Sequence, residues 1–465
     1  MKTIFNTTEK SNFILNMKTE VLQKIVLVLV VICAVCPLLG GVMVLFNPKL
    51  AYAPAGFLSF CGFTAILIFI VAILKKYVVF TKNISYFLIC AYFLLAIISC
   101  IFPYDFDIAL YGNINRFEGL FALMAYAGIF MLATLTGKHN HAKVIMDTIV
   151  GVGIVQALIG AVQSIPALEL NSQFANLFPT AERYVYLPSG TSSNPIYLAT
   201  FLTIAASVAI AGAAFDKNYT RRVVYATSAA LFYIVSVLTC STIGYIGIPI
   251  VFAVIFAIEC IRIVRCKDGF FSPAMSILLV IFGTFAISFV IVSLTSNLRI
   301  LDRGIAFQDG FYNLFVAGQA DPFDKSFYAH NWQTSVDILA KDFNILLGTG
   351  PDCLFIPEYQ MSGELAIQNV MNGFDKPYNH YLYVLVTRGI FSLLAYLSIV
   401  IYSIRKSFGG LKKFFQNGEL WYKTAIFTSI VVYSIVIFVG VSSILVAPFF
   451  WIMLGLANAK HLEED

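Results

Sequence analysis

The chain has 465 residues, 59% of them hydrophobic and 12% charged, with a net charge of +5 and a mean hydropathy of +0.84. Soluble domains carry about 25% charged residues, so this composition excludes a set of water-soluble domains and leaves lipid as the main solvent. The small positive balance comes from loop bias and gives no sign of nucleic acid as a partner.

Apolar runs near the roughly 20 residues that cross a bilayer predict twelve transmembrane helices. They fall at about 24–46, 55–74, 84–102, 117–136, 143–163, 195–215, 222–240, 242–261, 273–295, 389–404, 421–439 and 441–458. The first is expected to stay as a helix and not to be cleaved. A polar stretch of about 23 residues precedes it, and no small-residue cleavage site follows. With both termini cytoplasmic, 21 of the 30 Lys and Arg fall in inner segments and 15 of the 25 acids fall outside, as short cytoplasmic loops require. The expected organisation is an inner segment 1–23, helices one to nine over 24–295, an outer loop 296–388, helices ten to twelve over 389–458, and an inner tail 459–465. This is an all-α integral membrane protein with a large folded extracytoplasmic loop before helix ten.

Eight of the nine cysteines sit in or beside predicted helices, and Cys353 alone lies in the large outer loop. The Cys33-x-x-Cys36 pair falls inside the first span, where packing is expected and a hydrated metal or redox site is not. Neither a disulfide framework nor a metal site is expected.

Polar sequence concentrates outside, at 103–116, 164–194 and about 296–388, so the working surface is expected to face outward. The last of these is rich in Phe, Tyr, Ile and Leu and can bury a core of its own. Trp332, Val336, Ile338 and Leu339 predict a helix from about 328 to 341, and Gly348-Thr349-Gly350-Pro351 reads as a turn.

A transporter would place ionisable groups near the bilayer midplane, whereas Asp147 and Glu259, the nearest exceptions here, sit close to inner helix ends. An enzyme acting on a lipid-linked head group would gather cations on the outer leaflet instead. The outer pool is Arg116, Arg183, Arg299, Arg303, Lys376 and Arg388, and such groups neutralise phosphate oxygens. On composition alone the favoured reading of Arg116 is an interfacial anchor, with Glu118 neutralising the same helix end, and Arg183 reads equally as a solvated loop residue. His380 is the outer histidine of interest for proton transfer. It follows Asp375-Lys376-Pro377-Tyr378-Asn379, where Pro fits a first helical turn and the helix N-terminus favours anions. An interfacial Tyr, Asn and His belt is the alternative. His330 reads as structural.

Four segments carry a family resemblance: Asn115-Arg116-Phe117-Glu118-Gly119-Leu120, Ser189-Gly190-Thr191-Ser192-Ser193-Asn194-Pro195, Gly348-Thr349-Gly350-Pro351-Asp352, and Asp375-Lys376-Pro377-Tyr378-Asn379-His380-Tyr381-Leu382. With the twelve spans and the long penultimate outer loop, the chain resembles the bacterial O-antigen ligase and polysaccharide polymerase superfamily over residues about 24–458. The resemblance implies a GT-C-like helical fold in the bacterial cytoplasmic membrane. It implies transfer of a glycan from an undecaprenyl diphosphate carrier to an acceptor glycan, lipid or protein, with no metal, cofactor or nucleotide sugar. Arg116, Arg183 and Lys376 would hold the diphosphate, His380 or Tyr378 would assist the acceptor hydroxyl, and Asn194 and Asn379 would contact substrate.

The chain also departs from the family pattern His-Asn-x-Tyr-Leu, because aligning Asn379, Tyr381 and Leu382 puts Tyr378 in the His slot. On a helix, His380 would stand about 200° away from that slot. Arginines common in the family are missing at Leu187, before Trp332, and at Ser241-Thr242. Two expectations follow: an active glycosyltransferase, or a non-catalytic lipid-glycan binder or transporter that keeps the fold.

Overall fold

A computed structural model of the chain describes residues 17–113, 116–165, 187–192, 194–269, 272–295, 327–341, 345–354, 376–416 and 421–459. Among these residues the regular elements are helices and no strand occurs. They are α1 (Thr19–Phe46), α2 (Ala53–Leu74), α3 (Ile84–Ser99), α4 (Phe106–Tyr111), α5 (Leu120–Thr134), α6 (His139–Gln163) and α7 (Pro195–Phe215). There follow α8 (Tyr219–Leu238), α9 (Thr242–Cys266), α10 (Pro273–Thr295), α11 (Phe327–Lys341), α12 (His380–Gln416), α13 (Trp421–Val436) and α14 (Ala447–Ala457). Among the described residues nine helices, namely α1, α2, α6 to α10, α12 and α13, are long and apolar enough to cross a membrane, and α3, α5 and α14 are shorter apolar helices. The molecule is a multi-pass, all-α membrane protein.

Helix α7 is the axis of the bundle, packed against α6, α8, α9, α10, α13 and α14. Its sequence explains that position: Ala205, Ala206, Ala209, Ala211, Gly212, Ala213 and Ala214 are all buried, and small side chains let neighbouring helices approach closely where lipid offers no hydrophobic drive for association. Its buried hydroxyls are satisfied within the helix, as Thr200, Thr203 and Ser207 donate to carbonyls four residues back at 2.7, 2.9 and 3.0 Å. At the periphery the rule inverts. Val280, Phe282, Ile287, Val290 and Leu294 of α10 are exposed, which suits a face turned to lipid. Helices α2 and α5 meet through Gly62, Ala125 and Gly128, where a Cβ added at Gly62 would lie 2.2 Å from the Ala125 backbone.

One end of the bundle is basic. Arg221 of α8 bridges Asp147 of α6 at 2.9 Å and Asp216, just past α7, at 3.0 Å, tying three helices. Arg262 pairs with buried Glu259 at 2.7 Å, and Ser272 donates to the same carboxylate at 2.6 Å. Asp147 and Glu259, the two acids nearest to the predicted spans, therefore serve as packing pairs.

Helix edges differ from expectation at the opposite end, each time for a visible reason. Helix α5 begins at Leu120 and not at 117, because Phe117 stands in left-handed backbone at φ 54°, as does Gly112 at φ 86°. The last two spans were expected to be joined at Gly440 alone. Instead a 3-10 turn (Ile437–Val439) and an irregular stretch precede α14, since two antiparallel helices cannot reverse over one residue. Helix α12 starts at His380, inside the expected outer loop, and runs to Gln416 with a break at Gly389 (φ 80°, ψ 174°). Loop 345–350 fills that break: Thr349 N donates to Val386 O at 3.0 Å, Gly350 N to Thr387 O at 2.9 Å, and Ile390 N to Ile345 O at 2.8 Å. The Ser99 hydroxyl lies 2.6 Å from Leu347 O and 3.1 Å from Thr387 O. Irregular backbone inside a helical bundle is tolerated where protein satisfies its polar groups in this way.

Candidate functional site

The broken end of α12 brings distant sequence into one buried polar cluster. Asp352, in left-handed backbone at φ 59°, is its hub. Its Oδ2 accepts from Asn113 N at 2.8 Å and Glu118 N at 3.3 Å. Its Oδ1 accepts from the Tyr383 hydroxyl at 2.6 Å and lies 3.7 Å from Arg116 Nε. One carboxylate thus joins the turn before α5, the 345–354 loop and α12.

Lys376 is the second anchor. Its ammonium pairs with Glu118 and donates to Ser442 O at 2.8 Å, which uses a carbonyl in the irregular stretch before α14. The Tyr126 hydroxyl donates to Glu118 Oε1 at 3.2 Å. Burial alone would raise the Glu118 carboxyl, but Lys376 beside it prevails and holds the group below the usual 4.5. Burial alone would lower Lys376, and Glu118 reverses that too, holding the ammonium above the usual 10.5.

Arg388, one residue before the break, is 4% exposed. It donates to the Tyr92 hydroxyl and lies 5.6 Å from the Tyr92 ring and 6.0 Å from the Tyr383 ring, within cation–π range. Among the described residues it makes no ion pair. Beside it is an internal cavity of about 10 Å³ lined by Glu118, Arg388, His380 and Tyr92 among others, room for about one water molecule. His380 lies edge-on to Tyr396 at 5.3 Å, and its Nδ1 is buried without a hydrogen-bond partner.

The residues expected from sequence divide into three groups. Arg116, Lys376 and His380 come together in this cluster, although both cations are already paired with carboxylates. His380 reaches the cavity because the backbone before it is not helical: Tyr378 has φ 49°, so the 200° separation expected on a helix does not apply. Pro377 accordingly lies before the helix and not in its first turn. Asn379 and Asn194 act as helix caps, accepting from Leu382 N at 3.1 Å and Ile196 N at 2.8 Å. Tyr378 is buried against the hydrophobic core. Arg183 and Asp375 lie outside the described residues, as does the His330 side chain.

Ser189, Gly190 and Thr191 are held by two glutamines of α6 that sequence reasoning missed. Gln163 Oε1 accepts from Ser189 N and Gly190 N at 3.0 and 2.8 Å, and Gln156 Oε1 accepts from Thr191 N at 2.8 Å. Asp352 and Arg388 were also missed as organising residues. The signals available were the acid ending Gly-Thr-Gly-Pro-Asp and the Arg-Gly pair inside an apolar run.

No family model matches the chain, and no curated protein does. The fold and the cluster define a multi-pass helical membrane protein with a buried, multiply charged cluster at one end of its bundle.

Proposed function

We propose that the protein is a glycosyltransferase of the O-antigen ligase and polymerase type, moving a glycan from an undecaprenyl diphosphate carrier to an acceptor hydroxyl at the outer face of the bacterial cytoplasmic membrane. In this reading α3, α5 and α14 complete twelve spans, and the basic end, with both termini, faces the cytoplasm. The observation that carries it is convergence: segments 116–120, 348–354 and 376–388, which hold the described parts of three of the four motifs, meet through the Arg116–Asp352 and Lys376–Glu118 pairs beside Arg388 and His380. The acceptor oxygen bonds to the anomeric carbon, the bond from that carbon to the diphosphate oxygen breaks, and the electron pair leaves with the diphosphate. The hydroxyl proton passes to His380 or to water. Arg116 and Lys376 exchange their carboxylate partners for phosphate oxygens, and stabilising that leaving charge is worth roughly 10²- to 10³-fold per donor.

A second reading, a lipid-glycan binder without transfer, is favoured by one feature, Tyr378 in the place of the family histidine. The deciding experiment reconstitutes the purified protein with lipid-linked oligosaccharide from its source cells and measures undecaprenyl diphosphate release. Release that requires acceptor and falls at least tenfold in Arg116→Ala supports transfer. Carrier binding with no release overturns it in favour of the binder.

A further inference from the structure

Helices α9 and α12 meet at the basic end of the bundle. The Arg265 guanidinium of α9 lies 5.4 Å from the Phe415 ring of α12, within cation–π range, and Cys266 Sγ lies 3.6 Å from Phe415 O. At about 100° per residue, Ile401, Arg405, Phe408, Lys412 and Phe415 fall within roughly 80° of one face of α12. All of these but Phe415 are exposed. On α9, Ile261, Val264 and Arg265 are exposed as well. The acids at this end of α9 are already taken, since Glu259 and Asp268 both pair with Arg262. Arg265, Arg405 and Lys412 make no ion pair among the described residues.

We propose that this corner binds an anionic phospholipid, with the phosphate among Arg265, Arg405 and Lys412 and an acyl chain laid along the exposed apolar residues that precede them. A single cation at a helix end snorkels to water by itself. Here two helices bring their cations to one seam, and basic pockets between membrane helices select anionic head groups. Guanidinium groups suit phosphate because they reach two of its oxygens at once. The apolar neighbours point to a lipid and not to a soluble phosphate. Ile261 lies one turn before Arg265 and Ile401 one turn before Arg405, so surface suited to hydrocarbon leads up to each guanidinium. Phe408, exposed between Arg405 and Lys412, continues that surface to the level of the cations. The site takes no part in the proposed transfer, and its test uses no glycan.

The full-length protein, purified in an uncharged detergent, is titrated with phosphatidylglycerol, phosphatidylcholine or glycerol phosphate at constant ionic strength. Bound lipid is counted by native mass spectrometry, and thermal unfolding is followed in parallel. Phosphatidylglycerol should bind saturably and raise the unfolding temperature, phosphatidylcholine should bind roughly tenfold or more weakly, and glycerol phosphate should have no effect. Arg265→Gln, Arg405→Gln and Lys412→Gln together should weaken phosphatidylglycerol by roughly a hundredfold, since each cation beside an anionic head group is worth about fivefold. All three side chains are exposed, so the variant should fold, and Lys412→Gln alone should weaken binding about fivefold. Lys24, Lys76 and Lys138 are also exposed, and their joint change to Gln should cost less than about threefold, because salt screens charges away from the corner. Undiminished binding in the first triple variant would overturn the proposal. So would equal losses in the two triple variants, which would mean that the basic end attracts lipid as a whole. Phosphatidylcholine binding as tightly as phosphatidylglycerol, or glycerol phosphate stabilising as strongly, would overturn it too, the first by removing the role of charge and the second by making the ligand a soluble phosphate.

Discussion

Lys376 and Glu118 form an ion pair across 258 positions of sequence, with 1% and 4% of their side chains exposed. Breaking a buried pair from one side strands a charge and costs about 3–5 kcal/mol. Glu118→Gln and Lys376→Met should each destabilise the protein by that order. The double variant removes both charges and should lose less than the sum of the two singles. Denaturant unfolding of the four proteins in one detergent measures the coupling, and additive losses would show that the two groups do not act as a pair.

The same pair sets a pH window. Glu118 is held below 4.5 when folded, so its contribution is present above that value and is lost as pH falls through the lower folded-state value. Lys376 is held above 10.5, so its contribution is complete below that value and is lost as pH rises through the higher one. The stability difference between wild type and the Glu118→Gln, Lys376→Met double variant should be flat between about pH 5 and 10 and should change at both extremes. A difference that shifts within that plateau would place another titrating group in control.

The apolar helices were legible from composition because lipid demands long apolar runs, and α7 was found at 195–215, as expected. The helix edges near the cluster were not. Residues 440–446 and the Gly389 break are apolar enough to read as helix, yet they are not helical, and carbonyls there serve Lys376 and the 345–350 loop. Arg116, Lys376 and His380 could be found because cations and histidines are rare in such a chain. Their partners could not, since Asp352 and Glu118 meet them only through tertiary contacts. Asn194 and Asn379 show the converse, because an Asn at a helix start satisfies the backbone first.

Gly389 should tolerate no side chain. Its φ of 80° lies in the left-handed region, and an added Cβ would stand 2.2 Å from Leu346 O, the loop that fills the break. Gly389→Ala should destabilise by more than about 1–3 kcal/mol, the cost of strained backbone alone. Gly409, in the same helix with nothing within 4 Å of an added Cβ, should gain about 0.5–1 kcal/mol on substitution by Ala. Thermal unfolding of the two variants tests the contrast, and equal behaviour would mean that the break is not fixed by the glycine.

Cys353 offers a probe of the loop that carries Asp352. It is fully buried, its thiol lies 3.4 Å from Asp105 O, and burial above all pushes it up to about 12. At pH 8 its thiolate population should be roughly three orders of magnitude below that of an ordinary thiol, by the factor of ten per unit that proton binding imposes. A water-soluble maleimide should therefore label exposed Cys266 rapidly and Cys353 only after unfolding. Asp352→Asn removes the charge facing Arg116 and weakens the hold of Tyr383 and two backbone amides on the loop, so labelling of Cys353 should rise in that variant while Cys266 stays unchanged. Mass spectrometry of the modified peptides distinguishes the two sites. Rapid labelling of Cys353 in the wild type would mean that the loop opens on its own, and that Asp352 does not hold it closed.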